Sequence, residues 1–251
     1  MTAAVVLTSV TFGYQKGEPI IQEATVNIKE GEFIGIIGPN GGGKTTLLKL
    51  IMGFLIPWSG NISVYGQPAT KYPNGIAYVP QSFRFDKEFP ISVLELVLGG
   101  CLSQLSWWGG FSKQDREIGL SALEQVGLAD YAKKPFSALS GGQAQRAFIA
   151  RALAAKPRIL ILDEPTASVD EKAEAEIYEI LQRIRKNTTV LMVTHDIRRV
   201  IHDVERVLCV QNRVESVIPS RLCEHFALGL YHFPLMQTGE THFSNKPLKL
   251  T

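Results

Sequence analysis

Phe33-Ile34-Gly35-Ile36-Ile37-Gly38-Pro39-Asn40-Gly41-Gly42-Gly43-Lys44-Thr45-Thr46 is the stretch on which the fold turns. Its second part fits the pattern G-x-x-x-x-G-K-[ST], with Gly38, Gly43, Lys44 and Thr45 at the fixed positions, and predicts a phosphate-binding loop. The glycines let successive backbone N–H groups converge on phosphate oxygens. Lys44 supplies a point charge for the outer phosphates, and the Thr45 hydroxyl can ligate Mg²⁺. Context supports the motif: Phe33 to Ile37 reads as a buried strand and Thr46 to Ile51 as a helix, whose N-terminal amides and dipole favour an anion.

The rest of the chain reads outward from this loop. Residues 4 to 14 alternate as a strand, Lys16 to Pro19 turns, and Ile20 to Ile28 alternates again, with Ile21, Ala24, Val26 and Ile28 expected to be buried. Two early strands joined by a turn predict a small antiparallel layer. After the loop helix stops at Gly53, Pro57-Trp58-Ser59-Gly60 is expected to turn into a strand from Asn61 to Tyr65. Ile76 to Val79 is a short apolar strand ending at Pro80-Gln81. From Pro90 to Phe136 the texture becomes helical. Val93 to Leu98 is one helix, and Gln114 to Val126 is a second with Ile118, Leu120, Leu123 and Val126 as its apolar face. A Gly- and aromatic-rich loop containing Trp107-Trp108 lies between them.

The α/β rhythm returns with a helix from Gly141 to Ala155 and the run Ile159-Leu160-Ile161-Leu162, apolar as a central strand covered on both faces should be. A helix from Glu171 to Lys186 follows, with Ile177, Ile180, Leu181 and Ile184 at helical spacing. Thr189 to Val193 is the next strand, before a helix from Ile197 to Val204 and a strand over Val207 to Val210. Strands alternating with helices predict an α/β parallel sheet with its ligands at the carboxyl ends of the strands.

Composition narrows the function. The 251 residues are 45% apolar and 20% charged, with a net charge of +2. That is ordinary globular composition, and nothing in the charge balance implies a nucleic-acid partner. Cys101, Cys209 and Cys223 are too few and too scattered for a disulfide framework and fit a reducing compartment. The N-terminal residues are not expected to form a signal peptide, and no run is long enough to span a bilayer. Membrane work would therefore go through a partner.

Two further motifs carry chemistry. Asp163-Glu164, after a central strand, suits Mg²⁺ work: one carboxylate holds the metal and the other orients or deprotonates the attacking water. Leu139-Ser140-Gly141-Gly142-Gln143 opens a helix and reads either as a second anion-binding N-terminus or as a plain N-cap.

The phosphate loop, Leu139 to Gln143, the run into Asp163-Glu164-Pro165, and Val193-Thr194-His195-Asp196 occur in the order found in ATP-binding cassette (ABC) transporter ATPases. The chain resembles that family over about residues 5 to 215. The resemblance implies a P-loop NTPase (RecA-like) core with an antiparallel β layer and a helical insertion subdomain. The core would comprise residues 1–86 and 138–218, the helical subdomain 87–137 and a C-terminal extension 219–251. It also implies that Tyr14 stacks on adenine, while Gly38, Pro39, Asn40, Gly41, Gly42, Gly43, Lys44, Thr45 and Thr46 hold the phosphates of ATP. Mg²⁺ would be held through Thr45, Gln81 and Asp163. Glu164, His195 and Gln81 would be catalytic, with Glu164 the carboxylate, His195 the switch on the γ-phosphate and Gln81 the link to the helical subdomain. Ser140, Gly141, Gly142 and Gln143 would act in trans on ATP held by a second copy, in a head-to-tail dimer that Ser168 and Asp170 cross.

Phe83 to Gly99 corresponds to the family's groove for a membrane subunit. Its Phe-Pro-Ile-x-Val pattern is similar to that of metal-ion uptake ATPases for zinc, manganese or iron. The expected partners are an integral membrane permease, a second copy of the chain and, indirectly, a metal-binding extracytoplasmic protein. No nucleic acid is expected. The expected location is the cytoplasmic face of the inner membrane. A soluble non-transport cassette, such as an iron–sulfur assembly factor, is the alternative. Cys223, His225, His232 and His242 in the tail match no tight metal-ligand spacing.

Overall fold

A computed structural model describes residues 2–72, 75–81, 90–104, 110–167 and 169–221, with backbone alone at Ser103, Gln104, Ile197, Arg198 and Arg221. Several sequence expectations fall outside these residues: Phe83 to Phe89 of the groove, Trp107-Trp108, Ser168, and the tail with Cys223, His225, His232 and His242.

Two sheets sandwich the first helix. The strands β1 (Ala3–Phe12), β2 (Ile21–Lys29), β4 (Ser59–Val64) and β5 (Gln67–Pro68) form an antiparallel sheet in the order β2-β1-β4-β5. The second sheet runs β10 (Arg213–Val217), β9 (Arg206–Gln211), β3 (Phe33–Ile37), β8 (Thr189–Val193), β7 (Ile159–Asp163), β6 (Ile76–Val79). Its pairs are parallel except for the β9–β10 hairpin.

The alternation of side chains along these strands builds two cores. Phe33 and Ile37 of β3, Leu160 and Leu162 of β7, and Val190 and Met192 of β8 enter a core shared with α2 (Val93–Leu98), α3 (Lys113–Gln125), α4 (Gly141–Ala154), α5 (Glu171–Ile184) and α6 (Ile197–Asp203). Their neighbours Ile34, Ile36, Ile159, Ile161, Leu191 and Val193 face the other way. They meet α1 (Lys44–Ile51) through Leu47, Leu48, Leu50 and Ile51, and the antiparallel sheet beyond it. Every residue of β3, β7 and β8 is therefore buried, and each such Leu or Ile contributes about 1.5–3 kcal/mol. This rigid double-faced sheet positions the site.

Ile21, Ala24, Val26 and Ile28 are buried as expected. Leu120 is not: it is 43% exposed, because the stripe of α3 that packs inward is Asp115, Gly119, Ala122 and Leu123, continued by Val126. Ser59 and Gly60 belong to β4 and not to a turn, since Ser59 pairs with Thr11 and a register shift follows at Thr8/Thr11. The edge strand β10 was not expected either; its exposed Arg213 and Ser216 and half-buried Glu215 interrupt the apolar signal.

Candidate active site

Four neighbouring parallel strands end at one edge, and each hands over a chemical group. The strand β3 runs into the loop and α1, β8 into Thr194-His195, β7 into Asp163-Glu164, and β6 into Pro80-Gln81.

The loop closes around its own lysine. Lys44 is buried, and its Nζ donates to the carbonyls of Gly38 at 2.9 Å and Pro39 at 3.0 Å. The Gly42 N–H also donates to Pro39 O, at 3.0 Å. Gly43 precedes α1 with φ of 104° and no side-chain cap, so the first amides of α1 keep no side-chain acceptor and suit an anion. Burial lowers the Lys44 pKa, and the carboxylates of Glu164 and Asp163 oppose that shift.

Asp163, at the last position of β7, accepts from the Tyr78 hydroxyl at 3.1 Å and from Thr45 Oγ1 at 3.5 Å. Burial holds its pKa above the ordinary carboxylate value, the Glu164 charge adds to this, and the Tyr78 and Thr45 donors and the Lys44 charge work against it. The hydroxyl of Thr45, the carboxylate of Asp163 and the amide of Gln81 share the same cavity wall. Such hard oxygen donors fit a small divalent cation of the Mg²⁺ kind.

Glu164 is clasped on both oxygens. Gln81 Nε2 donates to its Oε2 at 2.6 Å, and His195 Nε2 lies 2.7 Å from its Oε1. Its backbone is left-handed, at φ of 49°. That conformation costs roughly 1–3 kcal/mol and persists only where the surroundings enforce it. Here its N–H donates to Val193 O on β8, at 3.0 Å.

A cavity of about 350 Å³ joins Lys44, Thr45, Gln81, Asp163 and Glu164, while His195 and Tyr78 stand outside its lining and reach it through the two carboxylates. Tyr14, Ile20, Asn40, Gly41, Gly43, Lys44, Thr45, Thr46, Gln81, Asp163 and Glu164 line it. The Tyr14 ring is 57% exposed, stands edge-on to Phe12 and has its hydroxyl 3.5 Å from Thr46 Oγ1. Ile20 and Tyr78 belong to the site but were not picked out from the sequence. Tyr78 reaches Asp163 because β6 pairs with β7, a pairing with no local sequence signal.

Ser140, Gly141, Gly142 and Gln143 do not line this cavity. They open α4 as a capping box: Ser140 Oγ accepts from Gln143 N–H at 3.3 Å, and Gln143 Oε1 accepts from Ser140 N–H at 3.0 Å. Of the two readings of this stretch, the plain cap is thus realised within the chain. Ser140 and Gly141 remain exposed. Asp170 caps α5, accepting from Ala173 N–H at 2.9 Å. Among the described residues no helix is long and apolar enough to cross a membrane, and no three of His, Cys, Asp and Glu are grouped to hold a metal ion.

A family profile described as ABC transporter matches residues 21–167. The manganese transport system ATP-binding protein MntB of Bacillus subtilis is 44% identical over 193 residues, covering 76% of this chain and 77% of that protein. The zinc transport system ATP-binding protein TroB of Treponema pallidum is 37% identical over 231 residues, covering 91% of this chain and 86% of that one. Among solved structures, the ATP-binding cassette MJ0796, a dimer in a post-hydrolysis state with ADP and phosphate, superposes with a TM-score of 0.71 at 31% identity. That match covers 86% of this chain and 98% of the cassette.

Proposed function

This chain belongs to the ABC transporter family, and from that premise we propose that it is the ATP-hydrolysing subunit of a metal-ion importer, acting on a separate membrane subunit. One observation carries the enzymatic half: Glu164 is held on both oxygens, by Gln81 and His195, at the mouth of a phosphate loop already folded around Lys44. The names of the manganese and zinc relatives support the transport half. They favour import over the soluble non-transport alternative.

The mechanism follows from the placement of the groups. Tyr14 and Ile20 offer an apolar wall for the base, and the loop amides and Lys44 take the phosphates. Thr45, Gln81 and Asp163 would hold Mg²⁺, which on binding would neutralise charge on the terminal phosphates. Glu164 orients a water against the γ-phosphorus and takes its proton as the new P–O bond forms and the bond to the β-phosphate oxygen breaks. Gln81 and His195 fix the carboxylate for that transfer. His195, at the end of β8, senses whether the γ-phosphate is present, and Gln81 passes that state toward the helical subdomain.

The signature Ser140 to Gln143 completes the site of a second copy, since it does not line the cavity of its own chain. Asp170 and Ser168 would then lie at the crossing of the two copies. We retain the division into a core of 1–86 and 138–218, a helical subdomain of 87–137 and an extension of 219–251. The location that follows is the cytoplasmic face of the membrane, beside a permease fed by a metal-binding extracytoplasmic protein.

The test is reconstitution with the permease and the metal-binding protein in vesicles. ATP hydrolysis is expected to rise when that protein is loaded with Mn²⁺ or Zn²⁺, and the metal that gives the rise identifies the cargo. A chain that hydrolyses ATP yet never co-purifies with a membrane subunit would return the reading to a soluble cassette.

A further inference from the structure

We propose that Asn212 is a positioning residue that sets the spacing between the two walls of the nucleotide cavity. The inference rests on the ATP site described above and adds to it a residue that does not line the cavity.

Asn212 is the single residue between β9 and β10, and its φ is 56°. Three hydrogen bonds leave this turn in different directions. Its N–H donates to the carbonyl of Gly42, in the phosphate loop, at 3.3 Å. Its carbonyl accepts from Gln22 N–H, in β2, at 2.6 Å. Its side-chain Nδ2 donates to Pro19 O at 3.3 Å. Pro19 and Gln22 flank Ile20, which forms the base-side wall of the cavity. One residue therefore grips the backbone beneath the phosphates and the segment that carries the opposite wall.

The strand leading into the turn closes off the space behind the loop. A methyl group on Gly42 would fall 2.7 Å from Val210 O, and one on Gly38 would fall 2.1 Å from the same atom. The loop cannot move back without displacing β9, and the turn ties that strand to β2. The left-handed backbone lets all three bonds form together. Asparagine tolerates it through its short polar side chain, alanine meets it with strain, and glycine adopts it freely.

The experiment uses the full chain with ATP and with inorganic tripolyphosphate as a phosphate-only probe. Asn212→Ala is expected to raise the KM for ATP about five-fold, equivalent to about 1 kcal/mol, with kcat changed by less than about two-fold. Tripolyphosphate affinity is expected to fall less than ATP affinity, because it needs only one wall. Asn212→Gly, which keeps the two backbone bonds and loses only the side-chain bond to Pro19, is expected to recover most of the ATP affinity.

An unchanged KM in a folded Asn212→Ala would overturn the inference. So would a parallel fall of melting temperature, kcat and affinity in both variants, since that is the signature of general structural damage. Failure of the unsubstituted chain to bind ATP would refute the site itself and is read separately, before any variant is compared.

Discussion

The signature helix is seated by a contact with no spare room, and Gly142→Ala tests it. Gly142 is the second residue of α4, buried against α5. A methyl group there would stand 2.4 Å from the Cβ of Ala173. Carbon atoms in ordinary contact sit about 3.5–4.0 Å apart, so the two helices must part locally by roughly 1.1–1.6 Å. Overpacking of this kind costs about 1–3 kcal/mol. Alanine recovers part of that, because it is a better helix former than glycine by up to about 1 kcal/mol.

The net loss should be about 1 kcal/mol, seen as a fall in melting temperature of roughly 2–4 °C for a chain of this size. The companion change is Ala173→Gly, which empties the space the new methyl needs. A four-member thermal-denaturation cycle is expected to show a coupling of about 1 kcal/mol or more between the two positions. ATPase activity should follow the same cycle, lowered in Gly142→Ala and recovered in the pair, because the added methyl points at Ala173. Strictly additive melting temperatures would refute the packing argument. Recovered stability with activity still low would show that Gly142 has a second role at the exposed end of α4.

Three other perturbations probe the cavity. Glu164→Gln keeps the shape of the side chain but removes its basicity. Single-turnover assays should show ATP bound and hydrolysis slowed by about 10²–10⁴-fold, with a dimer trapped in gel filtration. Tyr78→Phe removes a donor that lowers the Asp163 pKa. The acid limb of the ATPase pH profile should then move to higher pH, and an unmoved limb would separate Asp163 from catalysis. Burial holds Asp163 above its ordinary value of 3.8, so this group contributes stability that is fully present below that value and lost as pH rises through its folded-state pKa. In thermal melts from about pH 4 to pH 7 the stability of the unsubstituted chain relative to Asp163→Asn should fall as pH rises, a difference that separates this group from Glu30, Glu95 and Asp115, whose lowered pKa values act in the opposite sense.

Much of this architecture was legible in the sequence, for physical reasons. Strands buried on both faces must be apolar throughout, so Phe33 to Ile37, Ile159 to Leu162 and Thr189 to Val193 announced themselves, and the motif residues follow each strand directly. Periodicity located α5 because four of its residues, Ile177, Ile180, Leu181 and Ile184, make one stripe. It misled at Leu120, since α3 presents Asp115 and Gly119 inward and leaves that leucine in solvent. The missed contributors act through pairing: Tyr78 needs β6 beside β7, and Asn212 needs the β9–β10 hairpin folded behind the loop. Neighbours created by sheet order leave no mark on the local chain. The capping role of Ser140 was readable from Gln143 three residues later.

The four strands that end at the site also act as a gauge of chain length. Gln81, Glu164 and His195 meet only because β6, β7 and β8 stop in step, with Val79 level with Leu162, and Asp163 level with Val193. Removing one residue inside β7 would draw Asp163 and Glu164 back by about 3.3 Å. It would also turn every later side chain to the opposite face. Both partners of the carboxylate would be lost in one step, although the core would lose only a single side chain. A library of apolar-for-apolar substitutions over Ile159 to Leu162 should therefore contain many active members. A library of single-codon deletions in the same four residues should contain none.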